Sequence, residues 1–172
     1  MKFNNSIFLG LLMILALSCT TEKMIAQQSE DAIITTSAMA NTSADKVWEQ
    51  IRQLDNIDKL SSTVGSLTWT GPKGVGGERK CFTPDKSAYF VEKILEFDDK
   101  ERTYQWQVAE GVPAKNVINR LRVVDLGYNK SMVIFTSKFS FIENPNMSEA
   151  EFKGFLQSAS YEMAKNAISL AE

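Results

Sequence analysis

The chain contains no histidine. That removes the commonest general base, the usual partner of a catalytic serine or cysteine, and the commonest zinc ligand. It has two cysteines, Cys19 and Cys81, too few for a disulfide framework or a cysteine-ligated metal cluster. No charge sign dominates: 19 Lys and Arg stand against 21 Asp and Glu. Without a basic stripe, nucleic acid is excluded as an expected partner. The longest apolar run, residues 7–17, is too short to span a bilayer. There is no internal repeat and no low-complexity segment. With 44% apolar residues in 172, the chain has the composition of one globular domain with a core of its own.

Lys2 followed by the apolar run reads as the core of a signal peptide. The run ends Leu15-Ala16-Leu17-Ser18-Cys19, which resembles a bacterial lipobox with Ala16 where Leu is usual. The expected organisation is a signal peptide over residues 1–18, a polar tether over 19–31 beginning at a lipidated Cys19, and a domain over 32–172. Ordinary cleavage after Ala26 is the competing reading, and it yields a secreted protein. Under either, the mature domain lies outside the cytoplasm; under the first, it is a lipoprotein held to the cell envelope by its lipid.

The domain begins with a β-rich segment at 32–37. Thr42-Ser43 caps a helix whose apolar face is Val47, Trp48, Ile51 and Leu54. A second short helix follows at 56–60, then a strand at 67–70. The glycine-rich stretch Gly71-Pro72-Lys73-Gly74-Val75-Gly76-Gly77 precedes a strand, not a helix, so it is no phosphate cradle; glycines there permit a bend or a close approach. Strands are expected at 79–83 and 88–97. A two-residue turn at Asp85-Lys86 pairs Cys81 with Phe90 and Arg79 with Glu92, placing the four on one face. An aromatic strand runs from Tyr104 to Val108, and a Gly/Pro loop ends at Asn116. In the next strand Val117, Asn119, Leu121 and Val123 alternate with charged positions, and after a turn at 127–130 so do Val133, Phe135, Ser137, Phe139 and Phe141. The pattern is that of an antiparallel sheet with one covered face and one wet face. Ser148 and Glu151 form a capping box for a long helix over 149–171. Phe152, Leu156, Ala159, Met163, Ala167 and Leu170 recur along it as one stripe.

The order strand, two helices, six strands, long helix resembles the START/polyketide-cyclase (SRPBCC) superfamily, in particular its polyketide cyclase/dehydrase and lipid-transport group. The residues carrying the resemblance are Val47-Trp48, Gly76-Gly77-Glu78-Arg79, Glu92-Lys93-Ile94-Leu95 with Asp98-Asp99, the strand 104–108, and Glu110-Gly111-Val112-Pro113-Ala114-Lys115-Asn116. It implies an α+β helix-grip fold: a curved seven-stranded antiparallel sheet wrapped around the C-terminal helix, with two short helices after the first strand. It also implies a cavity between sheet and helix. The expected lining is Phe90, Ile94, Tyr104, Trp106, Val108, Leu121, Phe135 and Phe139 from the sheet, with Cys81 beside Phe90. Leu156, Ala159 and Met163 add to it from the helix. Arg79, Glu92, Asn119 and Ser137 supply polar anchors, with Arg79 expected to take a carboxylate or carbonyl and Glu92 a hydroxyl.

Apolar walls with few polar groups describe a small-molecule site. The reading is therefore an extracytoplasmic carrier or sensor of a small hydrophobic or amphipathic ligand, needing no cofactor or metal and leaving protein partners open. A cyclase or dehydratase using the same cavity is the alternative, with Glu92 as its only good acid/base. A third reading is an envelope interaction module without a ligand. The lipid anchor has a direct test: a clickable fatty-acid analogue fed to cells should label the wild-type chain and leave Cys19→Ser unlabelled. Equal labelling of both would remove Cys19 as the lipid site.

Overall fold

The computed structural model describes residues 31–172; the expected signal peptide, Cys19 and the expected tether up to residue 30 lie outside the described residues. The elements run β1 (Ala32–Ala40), α1 (Ala44–Ile51), α2 (Ile57–Leu60), β2 (Ser66–Thr70), β3 (Glu78–Phe82), β4 (Tyr89–Asp98), β5 (Thr103–Glu110), β6 (Ala114–Gly127), β7 (Lys130–Phe141) and α3 (Glu149–Ala171). The strands form one antiparallel sheet in the order β1-β7-β6-β5-β4-β3-β2. This is the helix-grip architecture.

Local chemistry explains the boundaries. Ser43 caps α1 through its side chain and Asp45 sits in the first turn, where the helix dipole favours an acid. Ser148 and Glu151 close a full capping box on α3. The β6–β7 hairpin turns on Tyr128 and Asn129, both at positive φ (51° and 55°), the conformation of a two-residue hairpin turn matched to strand twist. The hairpin β3–β4 has Arg79 opposite Glu92 and Cys81 opposite Phe90, the expected register; the connection is a wider loop than the two-residue turn expected, with the Lys86 N–H donating to the Thr83 carbonyl and, in that loop, Lys86 alone at positive φ.

Two sequence expectations change. The loop expected to end at Asn116 is shorter, because β6 already begins at Ala114 and pairs it with Phe141. Asn116, at φ 53°, lies within a register shift between Lys115 and Ile118; it is a bulge residue inside a strand. On α3, Leu170 is exposed while Ala164 and Ile168 are buried with Met163 and Ala167. The apolar stripe drifts around a helix of 3.6 residues per turn, and the last turns face α1 and β1 through the later positions.

The helix α3 packs on β1 and β7 at one side of the sheet and on α1 and α2 at its end, but stands off β3, β4 and β5. The larger core cluster lies under α1, α2 and the C-terminal half of α3; a smaller one joins Ile34, Val117, Phe139 and Phe152 under its N-terminal half. The α1 helix is fixed to the far edge by Asp99 in the β4–β5 turn. That carboxylate accepts from Trp48 Nε1 at 2.8 Å and from Arg52 Nε and Nη2 at 2.8 and 2.7 Å. The Arg52 guanidinium is the first reason, and the Trp48 hydrogen bond a further one, that the Asp99 carboxyl is held below its ordinary range.

Gly154 is the weak point of α3: a Cβ there would meet no atom within 4 Å. Glycine inside a helix costs about 0.5–1 kcal/mol relative to alanine. Gly154→Ala should therefore raise unfolding stability by about that amount in a urea titration with unchanged m-value. A loss of stability would show that α3 needs its freedom at this turn.

Candidate functional site

Antiparallel pairing lines up side chains across strands, and three such rows cross the concave face of the sheet. Arg79, Glu92, Val108 and Val117 form one; Ile94, Trp106, Asn119, Ser137 and Ile34 the second; Tyr104, Leu121, Phe135 and Thr36 the third. Glu92 faces inward with Phe90 and Ile94 by the plain alternation of β4, which pairs with β3 without a shift. Where the first row crosses to β5 the register shifts, Val91 facing Glu110 and Glu92 facing Val108, so the extra residue, Ala109, lies on β5.

Glu92 and Arg79 are 5% and 1% exposed. Arg79 Nε donates to Glu92 Oε2 at 2.5 Å, and Trp106 Nε1 donates to Glu92 Oε1 at 2.6 Å. Arg79 Nη1 donates to the Leu54 carbonyl at 2.7 Å, so the guanidinium also anchors the corner between α1 and α2. Leu54 holds φ 61° there, a conformation costly for a bulky side chain. The guanidinium carbon lies 5.5 Å from the centre of the Trp106 ring and 6.0 Å from that of Tyr104; those rings stack at 4.6 Å. Burial works against the Arg79 charge, but Glu92 more than offsets it, with help from Tyr104 and Cys81, and holds the guanidinium above its ordinary value. Burial first, and the Glu92 charge second, push the Cys81 thiol up to about 12. Such a thiol stays protonated and is no nucleophile. Burial likewise raises the Tyr104 phenol.

Between this floor and α3 lies a cavity of about 430 Å³, within the size range of small-molecule sites. Of the residues expected to line it, Phe90, Glu92, Trp106, Val108, Asn119, Phe135, Leu156, Ala159 and Met163 stand on its wall. Arg79, Cys81, Ile94, Tyr104, Leu121, Ser137 and Phe139 are buried behind it. For Arg79 the reason is its partners: Glu92 and the Leu54 carbonyl draw the guanidinium back from the cavity. Cys81, Ile94, Tyr104 and Leu121 are taken up by the core under α1 and α2, and Phe139 packs edge-on against Phe152 at 5.1 Å.

Sequence reasoning missed the rim. Ile57 and Val64 reach the wall from α2 and the segment after it, and Thr83, Pro84, Ala88 and Tyr89 from the β3–β4 hairpin. Gly111, Val112 and Pro113 come from the β5–β6 loop, and Met147, Phe155 and Ser160 from α3 and its approach. Tyr89 and Phe155 are exposed and mark the mouth. Gly111 is required there. It sits at φ 89°, and a Cβ would lie 2.2 Å from the Tyr89 carbonyl oxygen, so only glycine lets the loop close against β4. The Gly/Pro composition of 111–113 was the one available signal. Among the described residues, no group of three or more His, Cys, Asp or Glu side chains is placed to hold a metal.

Among the described residues, three buried side-chain polar atoms lack hydrogen-bond partners: Arg79 Nη2, Asn119 Oδ1 and Ser137 Oγ. The aromatic faces beside Arg79 compensate its free nitrogen in part. Asn119 and Ser137 are register partners, and Asn119 is on the cavity wall.

The family model described as polyketide cyclase / dehydrase and lipid transport matches residues 31–169. No curated protein matches the chain. Among solved structures, an uncharacterised protein from Bacillus thuringiensis is 22% identical over 80% of this chain and 96% of its own, with a TM-score of 0.67. The protein XoxI from Bacillus cereus is 22% identical over 82% and 99%, also at 0.67. Norcoclaurine synthase from Thalictrum flavum, solved in complex with dopamine and hydroxybenzaldehyde, is 16% identical over 97% and 96%, at 0.69. At these identities the likeness is one of fold.

Removing one partner of the buried pair strands the other charge. Glu92→Ala should therefore cost about 3–5 kcal/mol. The double change Arg79→Met with Glu92→Leu, which leaves no stranded charge, should recover most of it. Urea melts of both single variants and the double variant decide the point. Three small, additive losses would mean that water reaches the pair and screens it.

Proposed function

The chain belongs to the polyketide cyclase / dehydrase and lipid transport family, and from that premise we propose that it binds one small hydrophobic or amphipathic molecule in the cavity between sheet and helix. It does so outside the cytoplasm, as a carrier or sensor, tethered to the envelope through Cys19. The observation that carries the binding reading is the cavity itself. Its wall is overwhelmingly apolar, it is interrupted at depth by Glu92 and Asn119, and a rim of loops frames it. A binding protein needs this combination, because apolar area drives entry and a few fixed polar groups set orientation. The reading as a carrier, in preference to an enzyme, is supported by the state of the candidate catalytic groups. Both Glu92 oxygens are engaged by Arg79 and Trp106, an arrangement suited to holding a group in place, and the Cys81 thiol is protonated behind the wall. The extracytoplasmic location is supported by the apolar run at residues 7–17 and by the Leu15–Cys19 sequence that ends it.

Native mass spectrometry of the protein purified from its own envelope, followed by lipid extraction, should show one added mass per chain. Ala159 is half-buried on the wall, and Ala159→Trp should fill the cavity and abolish that mass. A wild-type chain that carries no added mass and binds no apolar probe would overturn the reading. So would an added mass that survives in a folded Ala159→Trp.

A further inference from the structure

We infer that the ligand's buried end is an uncharged hydrogen-bond donor, a hydroxyl in particular, and that the cavity rejects the corresponding carboxylate. This rests on the cavity-binding reading above and adds the chemistry of the headgroup. Among the described residues lining the cavity, Glu92 carries the only formal charge. No lysine or arginine reaches the wall: the nearby cation, Arg79, is buried behind it, with Nε on Glu92 and Nη1 on the Leu54 carbonyl. A ligand carboxylate would thus meet a like charge first, in a site from which water is largely excluded, and such a pairing is strongly unfavourable.

A ligand cation is poorly served as well. The Glu92 charge is already balanced by Arg79, so an ammonium group would lose its hydration beside a neutral pair that includes another cation. What the wall does offer is acceptor capacity. Each Glu92 oxygen takes one protein hydrogen bond and retains further lone-pair capacity. Asn119 Oδ1 is buried, on a residue 5% exposed, and takes none. The two residues are joined through Trp106, which bonds to Glu92 and is the register partner of Asn119. Oδ1 is turned away from the cavity, and a half-turn of the amide, which exchanges Oδ1 and Nδ2, presents this acceptor to an entering hydroxyl that satisfies it. Sites that hydrogen-bond a ligand hydroxyl discriminate strongly against analogues lacking it, because their own polar groups are then left unpaired.

The test uses three probes with the same alkyl chain: 1-decanol, decyl methyl ether and decanoate. Each displaces the neutral fluorophore N-phenyl-1-naphthylamine from the wild-type protein at pH 8, where a carboxylic acid is ionised. The expected order has 1-decanol displacing at a concentration at least tenfold below decanoate and several-fold below the ether. Asn119→Leu should shrink the gap between decanol and ether to under twofold. Glu92→Gln, which leaves the Arg79 charge unmatched, should shrink the decanoate penalty; should that variant fail to fold, the wild-type order and Asn119→Leu still decide. Decanoate displacing as well as decanol, or the ether matching decanol, overturns the headgroup inference while leaving the cavity in use. No fluorophore binding and no binding of any probe overturns the cavity reading and this inference with it.

Discussion

The guanidinium of Arg79, 1% exposed beneath a helix, is the constraint to which the rest of this fold is arranged. A buried charge without partners costs many kilocalories per mole, so a set of otherwise unrelated features has to serve it. The regular β3–β4 register delivers the counter-ion directly opposite it. Leu54 accepts a strained backbone conformation and turns its carbonyl toward Nη1. Trp106 spends its indole N–H on the far side of the same carboxylate, and the stacked faces of Trp106 and Tyr104 flank the cation. The net gain in stability from such a cluster is small, since desolvation cancels most of the attraction. Its effect is geometric: it ties the lid corner, the third and fourth strands and the aromatic strand into one rigid floor.

That floor also explains why the interior is not filled. The helix α3 gains its packing from β1, β7, α1 and α2, where facing residues such as Ile34 and Phe139 are apolar. Over β4, β5 and β6 the sheet presents Glu92, Trp106 and Asn119 among apolar side chains, and closing the helix on the carboxylate and the amide would cost them hydration without new partners. The helix is held at one side and at its end, and the gap lies over the strands it does not contact. The buried side chains gather into two clusters, one at each end of α3, and the cavity lies where neither reaches across to the helix.

The hairpin register was legible from sequence because centring the turn on Asp85-Lys86 sets the pairing: Arg79 falls opposite Glu92 whether the connection is a two-residue turn or, as here, the wider loop closed by Thr83 and Lys86. The inward set of β6 and β7 was legible from strict alternation. What lies behind each inward position was not. A period-two pattern states which face Arg79, Tyr104 and Leu121 occupy, but whether a residue fronts the cavity or sits beneath α1 depends on curvature and on where the helix rests. The third partner of Arg79, the Leu54 carbonyl, is a backbone group and has no side-chain signature. The rim was missed for a related reason, since Val64, Tyr89, Val112 and Phe155 converge from four connections distant in sequence and share no periodicity. Asn116 misled because Gly-Val-Pro reads as a loop that continues to the next strand-like run, whereas a positive-φ asparagine can equally be a bulge inside a strand.

The unpaired atoms at Asn119 and Ser137 fit this picture as part of the same arrangement. Every other strong acceptor near the floor has a donor: Glu92 has two and the Leu54 carbonyl has one. Two adjacent polar residues on central strands, paired in register and both lacking partners, are a cost that apolar residues of similar size would avoid. Threonine and leucine occur at neighbouring inward positions of the same sheet, at Thr36 and Leu121, without such penalties. Asn119 fronts the cavity and Ser137 lies directly behind it. A ligand held as proposed above would satisfy the amide and stabilise the fold by mass action, coupling occupancy of the cavity to the rigidity of the floor that Arg79 holds together.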